Sequence, residues 1–280
     1  MGFPRAGGCL LHPTSLPGQW GSGDLGADAY RFVDWLQAAG LGVWQVLPLG
    51  ETGRGHSPYM SPSAFAGNPY LIDLADLKGE GWLEDDELDS AHRCSERMID
   101  FSAMSRFRRA RLDRAAARFA AGASAEQRQC FDRFCSRQAH WLEDYALFTA
   151  LARRFPGREW ADWDAPLAAR EPAALDRVRR SLAAEIDAIR FCQWCFHRQW
   201  RRLHDYANAR GIRIFGDAPI FVAYQSADVW ARRDLFDLDR DGRMRVVAGV
   251  PPDYFSGTGQ RWGNPLYRWD SHRQENYAWW

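Results

Sequence analysis

Two short apolar runs bracket an amphipathic stretch near the start of the chain. Residues 9–12 are mostly apolar and run into Pro13-Thr14-Ser15, and residues 43–49 are mostly apolar and stop at Pro48 and Gly50. Both read as buried strands. Between them, residues 27–39 have helical periodicity, with Tyr30, Val33, Trp35 and Leu36 as core contacts and Gly40 where a helix C-cap is expected. Strand, helix, strand in that order predicts a βαβ unit and a parallel sheet.

A Gly/Pro/Ser loop follows over residues 50–69, and residues 83–210 read as mainly helical and Arg-rich. Ser124 with Gln127 forms a capping-box pattern for a helix running to about Phe155. A second long helix is predicted over residues 173–210, closed by Gly211. Residues 212–215 are the third strand, and residues 220–223 continue extended. From there to Trp269 the chain reads as turns and loops. Residues 276–280 are apolar and read as the start of a helix, so the sequence is expected to be cut at Trp280 rather than finished.

Composition adds exclusions. A 280-residue chain that is 46% hydrophobic can bury a sizeable core, and its zero formal net charge argues against bulk-charge binding of nucleic acid or a membrane surface. No run of eighteen apolar residues is present, and residues 1–5 lack the pattern of a secretory leader. The six cysteines are scattered, which reads as free buried thiols in a reducing, cytoplasmic setting.

Several motif matches fail on context. Gly21-x-Gly23-x-x-Gly26 is separated from its strand and has no acid closing the second strand, so a plain loop is the better reading than a dinucleotide site. Asp237-x-Asp239-x-Asp241-Gly242 opens like a calcium loop, but Ala248 stands where the bidentate Glu belongs, and an Asp-Gly hairpin turn fits better. Cys192-x-x-Cys195 lies in a helical apolar stripe without a second ligand pair, so core thiols are expected. The basic stretch 106–118 reads as a solvated helix face. No metal and no cofactor is implied.

The strongest signals are three loops. They are Ser57-Pro58-Tyr59 with residues 63–69, Gly216-Asp217-Ala218-Pro219 after the third strand, and residues 249–265. In a parallel barrel, loops that follow strands lie on the active face, so Asp217 fits a substrate-facing carboxylate as well as it fits a turn residue. The last loop gathers Tyr254, Phe255, Gln260, Trp262 and Asn264. Flat rings beside amides suit a pyranose, which offers an apolar face and a rim of hydroxyls, although a self-packed loop has the same spacing.

Leu11-His12-Pro13-Thr14-Ser15-Leu16-Pro17-Gly18, Trp44-Gln45-Val46-Leu47-Pro48-Leu49, and residues 57–69, 216–223 and 247–269 together resemble bacterial 4-α-glucanotransferase (amylomaltase, disproportionating enzyme) along the whole chain. The resemblance implies an α/β fold of (β/α)8 TIM-barrel type with helical insertions, of which this chain holds about the first three strands. Residues 1–50 would be the first barrel strands and helix. Residues 51–211 would be a mainly helical insertion plus a barrel helix, and residues 212–280 the third strand and sugar-groove loop. It implies transfer of α-1,4-glucan segments between maltooligosaccharides by retaining double displacement, with glucose and starch- or glycogen-derived glucans as partners. It also implies that Ser57, Tyr59, Asp217, Tyr254, Phe255, Gln260, Trp262 and Asn264 bind substrate.

The family's nucleophile lies in an Arg-Ile-Asp-His-Phe-Arg type segment and its acid/base in an Ala-Glu-Asp type segment. Neither occurs here, so no catalytic residue is assigned. Arg54 stands where the family often has an aromatic, and His56 and Gln225 replace usual acids. A non-catalytic glucan-binding fragment and a fragment of an α-amylase-type hydrolase are the competing readings.

Overall fold

The computed structural model describes residues 5–89 and 98–280. Residues 1–4 and Cys94 therefore lie outside the described residues. In chain order the first elements are β1 (Gly8–Leu10), α1 (Ala27–Ala38), β2 (Val43–Gln45), α2 (Leu74–Gly79), α3 (Asp85–Leu88), α4 (Phe101–Gly122) and α5 (Ala125–Arg154). They are followed by α6 (Ala165–Ala168), α7 (Pro172–Ser181), α8 (Ala183–Ala209), β3 (Arg213–Phe215), α9 (Ala227–Ala231), β4 (Val247–Val250), β5 (Gln260–Pro265) and α10 (Trp269–Gln274). The chain forms two compact units: Met1–Glu51, Gly67–Arg137 and Asp187–Ala218 make the first, and Thr52–Ala66, Gln138–Ile186 and Pro219–Trp280 the second.

The first unit carries a parallel sheet in the order β1-β2-β3. Its register aligns Cys9 with Trp44 and Ile214 in one row, and Leu10 with Gln45 and Phe215 in the next. Side chains alternate across a strand, so these rows face opposite ways. Trp44 is fully buried, with Cys9 and Ile214 packed against the same core, and its indole N–H donates to Leu11 O at 2.8 Å. The other row is open: Leu10 is 53% exposed and Phe215 63%. The strands are thus shorter than the apolar runs and buried on one face only.

Helices supply the rest of that core. On α1, Ala29, Val33 and Leu36 are buried. Trp35 is 54% exposed, contrary to the expected core contact, because it lies two positions from Val33, about 200° around the helix. Gly40 takes a left-handed φ of 70°, which lets the chain turn out of α1 toward β2. Trp82, Phe119 of α4 and Phe191 and Trp194 of α8 form a cluster with ring centroids 4.9–6.0 Å apart. Cys195 is buried beside them and burial pushes its thiol pKa up, whereas Cys130 is exposed, so the expectation of buried thiols fails there.

The expected solvated face of α4 also fails at one position. Arg108 is completely buried, pairing with Asp24 at 2.8 Å and donating to the carbonyls of Ile72 and Ser22. Sequence periodicity could not show this, because the partners come from the distant 20–24 and 72 segments.

The capping box forms as expected: Ser124 N donates to Gln127 Oε1 at 2.9 Å and Gln127 N to Ser124 Oγ at 3.2 Å. The helix expected over residues 173–210 is instead two, broken at Leu182, whose φ of −114° and ψ of 24° leave the helical region. The apolar pattern runs through this break unchanged. Gly211 takes φ 76° after α8, as its closing role requires.

In the second unit, residues 220–223 do not form a strand. Their carbonyls accept from side chains instead, Ile220 O from Tyr267 Oη and Val222 O from Asn264 Nδ2, both at 2.9 Å. The region expected to be only turns holds α9 and the antiparallel pair β4–β5. Gly263, at φ 80°, lies where that ladder shifts register, which disrupts the alternation a strand would show in sequence. The Asp-Gly turn is present: Leu238 bridges Met244, and Asp239 Oδ1 accepts from the amides of Asp241 and Arg243. At the end of the chain, Asn276 and Tyr277 take left-handed φ values of 53° and 57°, so residues 276–280 are a turn after α10 rather than a new helix. Tyr277 N closes that turn on His272 O at 2.7 Å.

Candidate functional site

The link between β4 and β5 is fixed from within by one carboxylate. Asp253 Oδ1 accepts from Phe255 N at 3.0 Å and Ser256 N at 2.8 Å, and Ser256 Oγ donates to Gly259 O at 2.7 Å. With its backbone held, the loop presents Tyr254, 97% exposed, and Phe255, 88% exposed, in edge-to-face contact with centroids 5.6 Å apart. The loop binds its own backbone but not its own rings, which excludes the self-packed alternative for these two side chains.

Gln260 and Trp262 follow on β5. Trp262 Nε1 donates to Gln260 Oε1 at 3.2 Å, so the amide and the indole edge sit together, with Trp262 45% exposed. Phe221 lies beside it at 6.1 Å and stacks on Tyr267, interplanar angle 9°. Burial pushes the Tyr267 phenol well above its usual range, which keeps its proton on the bond to Ile220 O.

Asn264 is different from the others. It is 5% exposed, and its Nδ2 donates to Val222 O with Met60 Sδ 3.6 Å away. It ties β5 to the 220–223 segment and to the loop that carries Ser57 and Tyr59. In that loop Tyr59 N donates to Ser57 Oγ at 3.3 Å, and Tyr59 is 42% exposed. Any side chain at Gly53 would meet Met60 O at 1.9 Å, so glycine permits the tight return of the chain from 53 to 60. Asp217 belongs to the first unit, where it follows β3 after Gly216 and is exposed.

Two contributors escaped sequence reading. Asp253 was visible only as one residue of an unusual run, yet it organises the loop. Gln225, noted in the sequence only as standing where the family usually has an acid, acts as a clamp, its Oε1 accepting from Trp160 N at 2.9 Å and its Nε2 facing Arg158 O at 3.5 Å. An acid could not donate the second of these contacts when ionised.

A parallel βα sheet followed by an aromatic-tipped hairpin defines an α/β protein with a rigid, flat-ringed loop facing solvent. The chain belongs to the 4-alpha-glucanotransferase family, whose model matches residues 11–280. It is 51% identical to the 4-alpha-glucanotransferase of Thermus thermophilus, over 100% of this chain and 55% of that protein. With the Synechocystis 4-alpha-glucanotransferase the identity is 46%, over 99% of this chain and 55% of that protein. The chain thus spans about half the length of these relatives. Among solved structures, an amylomaltase from Streptococcus agalactiae in complex with acarbose superposes with a TM-score of 0.94 at 39% identity, covering 99% of this chain and 56% of that one. An amylomaltase from Corynebacterium glutamicum, at 20% identity and a TM-score of 0.67 over 97% of this chain and 38% of that one, shares the fold.

Proposed function

We propose that this chain is the glucan-gripping part of a 4-α-glucanotransferase, which moves α-1,4-glucan segments between maltooligosaccharides by retaining double displacement. The observation that carries the reading is the Asp253-pinned loop with Tyr254 and Phe255 almost wholly in solvent. Exposed rings on a preorganised backbone are costly to keep unless a ligand covers them, and a pyranose face is such a ligand. Family membership and the acarbose complex of the S. agalactiae amylomaltase support the choice of an α-linked glucan.

In this reading β1, β2 and β3 are the first three strands of a (β/α)8 barrel. Residues 51–211 bring a helical insertion plus a barrel helix, and residues 212–280 bring the third strand and the groove loop. Tyr254, Phe255, Gln260 and Trp262 line the groove. Tyr59 and Asp217 contact the glucose at the bond that is cut, Ser57 helps bind acceptor-side sugar, and Asn264 holds β5 in place. The nucleophile and acid/base segments of the family do not occur in these 280 residues, so the chain by itself binds glucan without turning it over. Among the described residues no helix is long and apolar enough to cross a membrane, and five cysteines are free thiols; we place the activity in the cytoplasm, with starch- or glycogen-derived glucans as donors.

The test is a tryptophan-fluorescence titration with maltotriose, run beside an assay for released glucose. Saturable binding without glucose release is expected. Turnover comparable with an intact family member would place catalytic groups within this chain, and no binding at millimolar maltotriose would remove the glucan reading.

A further inference from the structure

Within the second unit, three segments meet at one side-chain amide. Asn264 Nδ2 carries two hydrogens: one donates to Val222 O at 2.9 Å, and the other points to Met60 Sδ at 3.6 Å. Val222 fixes which way the amide faces, because a carbonyl accepts only from its nitrogen end. Asn264 is buried, so neither partner is easily traded for bulk water. Two positions earlier on β5, Trp262 lies beside Phe221, the neighbour of Val222, with ring centroids 6.1 Å apart.

The chain leading to Met60 is tightly wound. Gly55 and His56 take left-handed φ values of 73° and 56°, and His56 N donates to Gly53 O at 3.1 Å. Met60 N then closes the next turn on Ser57 O at 3.2 Å, while Tyr59 N meets Ser57 Oγ at 3.3 Å. A Cβ at Gly53 would stand 1.9 Å from Met60 O and 3.5 Å from Met60 Cβ. The backbone of Met60 is thus pressed against Gly53 while its thioether reaches Asn264. A left-handed conformation at a residue other than glycine persists where the surroundings hold it. The contact from Met60 to Asn264 is one such hold, and it starts one residue from Tyr59.

We propose that Met60 and Asn264 are positioning residues: their thioether–amide contact sets the 57–60 turn, and with it Tyr59, against β5. A glucan held by Gln260 and Trp262 then finds Tyr59 already in place. The choice of glucan rests on the function proposed above, whereas the placement of the turn against β5 does not. Sulfur is a weak acceptor on a flexible side chain, so the contact steers the turn without carrying much of the fold's stability.

The experiment compares the full 280-residue chain with its Met60→Leu and Met60→Gln variants. Leucine keeps the volume and removes the acceptor, whereas the Gln Oε1 can accept from Asn264 Nδ2. Amide hydrogen exchange at residues 59 and 60 reports the turn, calorimetry with maltotriose reports binding, and thermal melts report folding. Met60→Leu is expected to speed exchange and weaken maltotriose by about threefold each, the worth of one weak hydrogen bond, with an unchanged melt. Met60→Gln is expected to restore both. Asn264→Ala also strands Val222 O and lowers the melt, but once it is present Met60→Leu should change nothing further. Unchanged exchange in a folded Met60→Leu chain, or no recovery with Met60→Gln, would overturn the proposal. Faster exchange with unaltered affinity would also overturn it, since the contact would then serve the turn alone. No maltotriose binding by the unaltered chain would remove the glucan reading, while faster exchange in Met60→Leu reversed by Met60→Gln would still support the placement of the turn.

Discussion

Arg108 Nη2 lies 2.8 Å from Asp24 Oδ2, and the guanidinium is entirely out of solvent. The pair is not isolated. The remaining donors reach carbonyls of Trp20, Ser22 and Ile72, so one arginine from α4 stitches the loop ahead of α1 to the segment ahead of α2. Removing one partner of such a pair strands a buried charge. Arg108→Leu is expected to cost about 3–5 kcal/mol, read as the loss in unfolding free energy by urea titration. A cost under about 1 kcal/mol would mean that the pair behaves like a surface ion pair.

Asp73 sits close to the same carboxylate. Burial first, and the Asp24 charge second, push its pKa up from 3.8 to about 6. A raised folded-state pKa means that the native chain holds a proton the unfolded chain releases, so this residue's contribution is full below about pH 4 and is lost as the pH rises through about 6. Asp73→Asn keeps the acceptor for Ala75 N, which caps α2. The variant is expected to abolish up to about 3 kcal/mol of that fall in stability, measured as unfolding free energy at pH 4 against pH 7. Parallel pH profiles for both chains would contradict the shift.

The aromatic loop separates affinity from stability. Tyr254 and Phe255 touch little besides each other, so replacing both by alanine should leave the melting temperature within about 1 °C, as for surface changes of under 0.5 kcal/mol. Each ring is expected to carry about 0.5–1.5 kcal/mol of maltotriose affinity. Asp253→Ala should weaken binding as well, although it touches no sugar, because Phe255 N and Ser256 N lose the acceptor that holds the rings in place. An unaltered Kd in the Asp253 variant would show that the loop needs no internal anchor.

Gly67 gives a purely steric test. Its amide and carbonyl are both held by the Gln193 side chain, at 2.9 and 2.8 Å, and a Cβ there would stand 2.1 Å from the Phe196 ring. Gly67→Ala must displace a buried aromatic or break two buried hydrogen bonds, at a cost of about 2–4 kcal/mol. Pairing it with Phe196→Leu should recover part of that loss, and a double variant no more stable than Gly67→Ala alone would point away from the ring as the cause.

The parallel sheet, the capping box at Ser124, the left-handed glycines at 40 and 211 and the Asp-Gly turn were all legible in sequence, because each depends on residues close together in the chain. What escaped depends on distant partners or on a single backbone angle. Leu182 breaks a helix whose apolar pattern does not change, and Trp35 was counted as core by hydrophobicity rather than by its angle around α1. Residues 220–223 have strand-like composition, but Tyr267 and Asn264 claim two of their carbonyls. For the site, residue types announced the loops of the second unit, and the resemblance supplied their roles. Neither source indicated that Asn264 would be buried or that Asp253 would anchor the loop.

The direct pairing of β2 with β3 has a kinetic consequence. Val43 meets Arg213 although all of α2 to α8 lies between them in the chain. That ladder cannot zip locally: its two strands must find each other across a very long intervening segment, and the entropy of that closure is paid before any hydrogen bond forms. Helical structure should therefore appear first on refolding, with burial of the Trp44 indole arriving late.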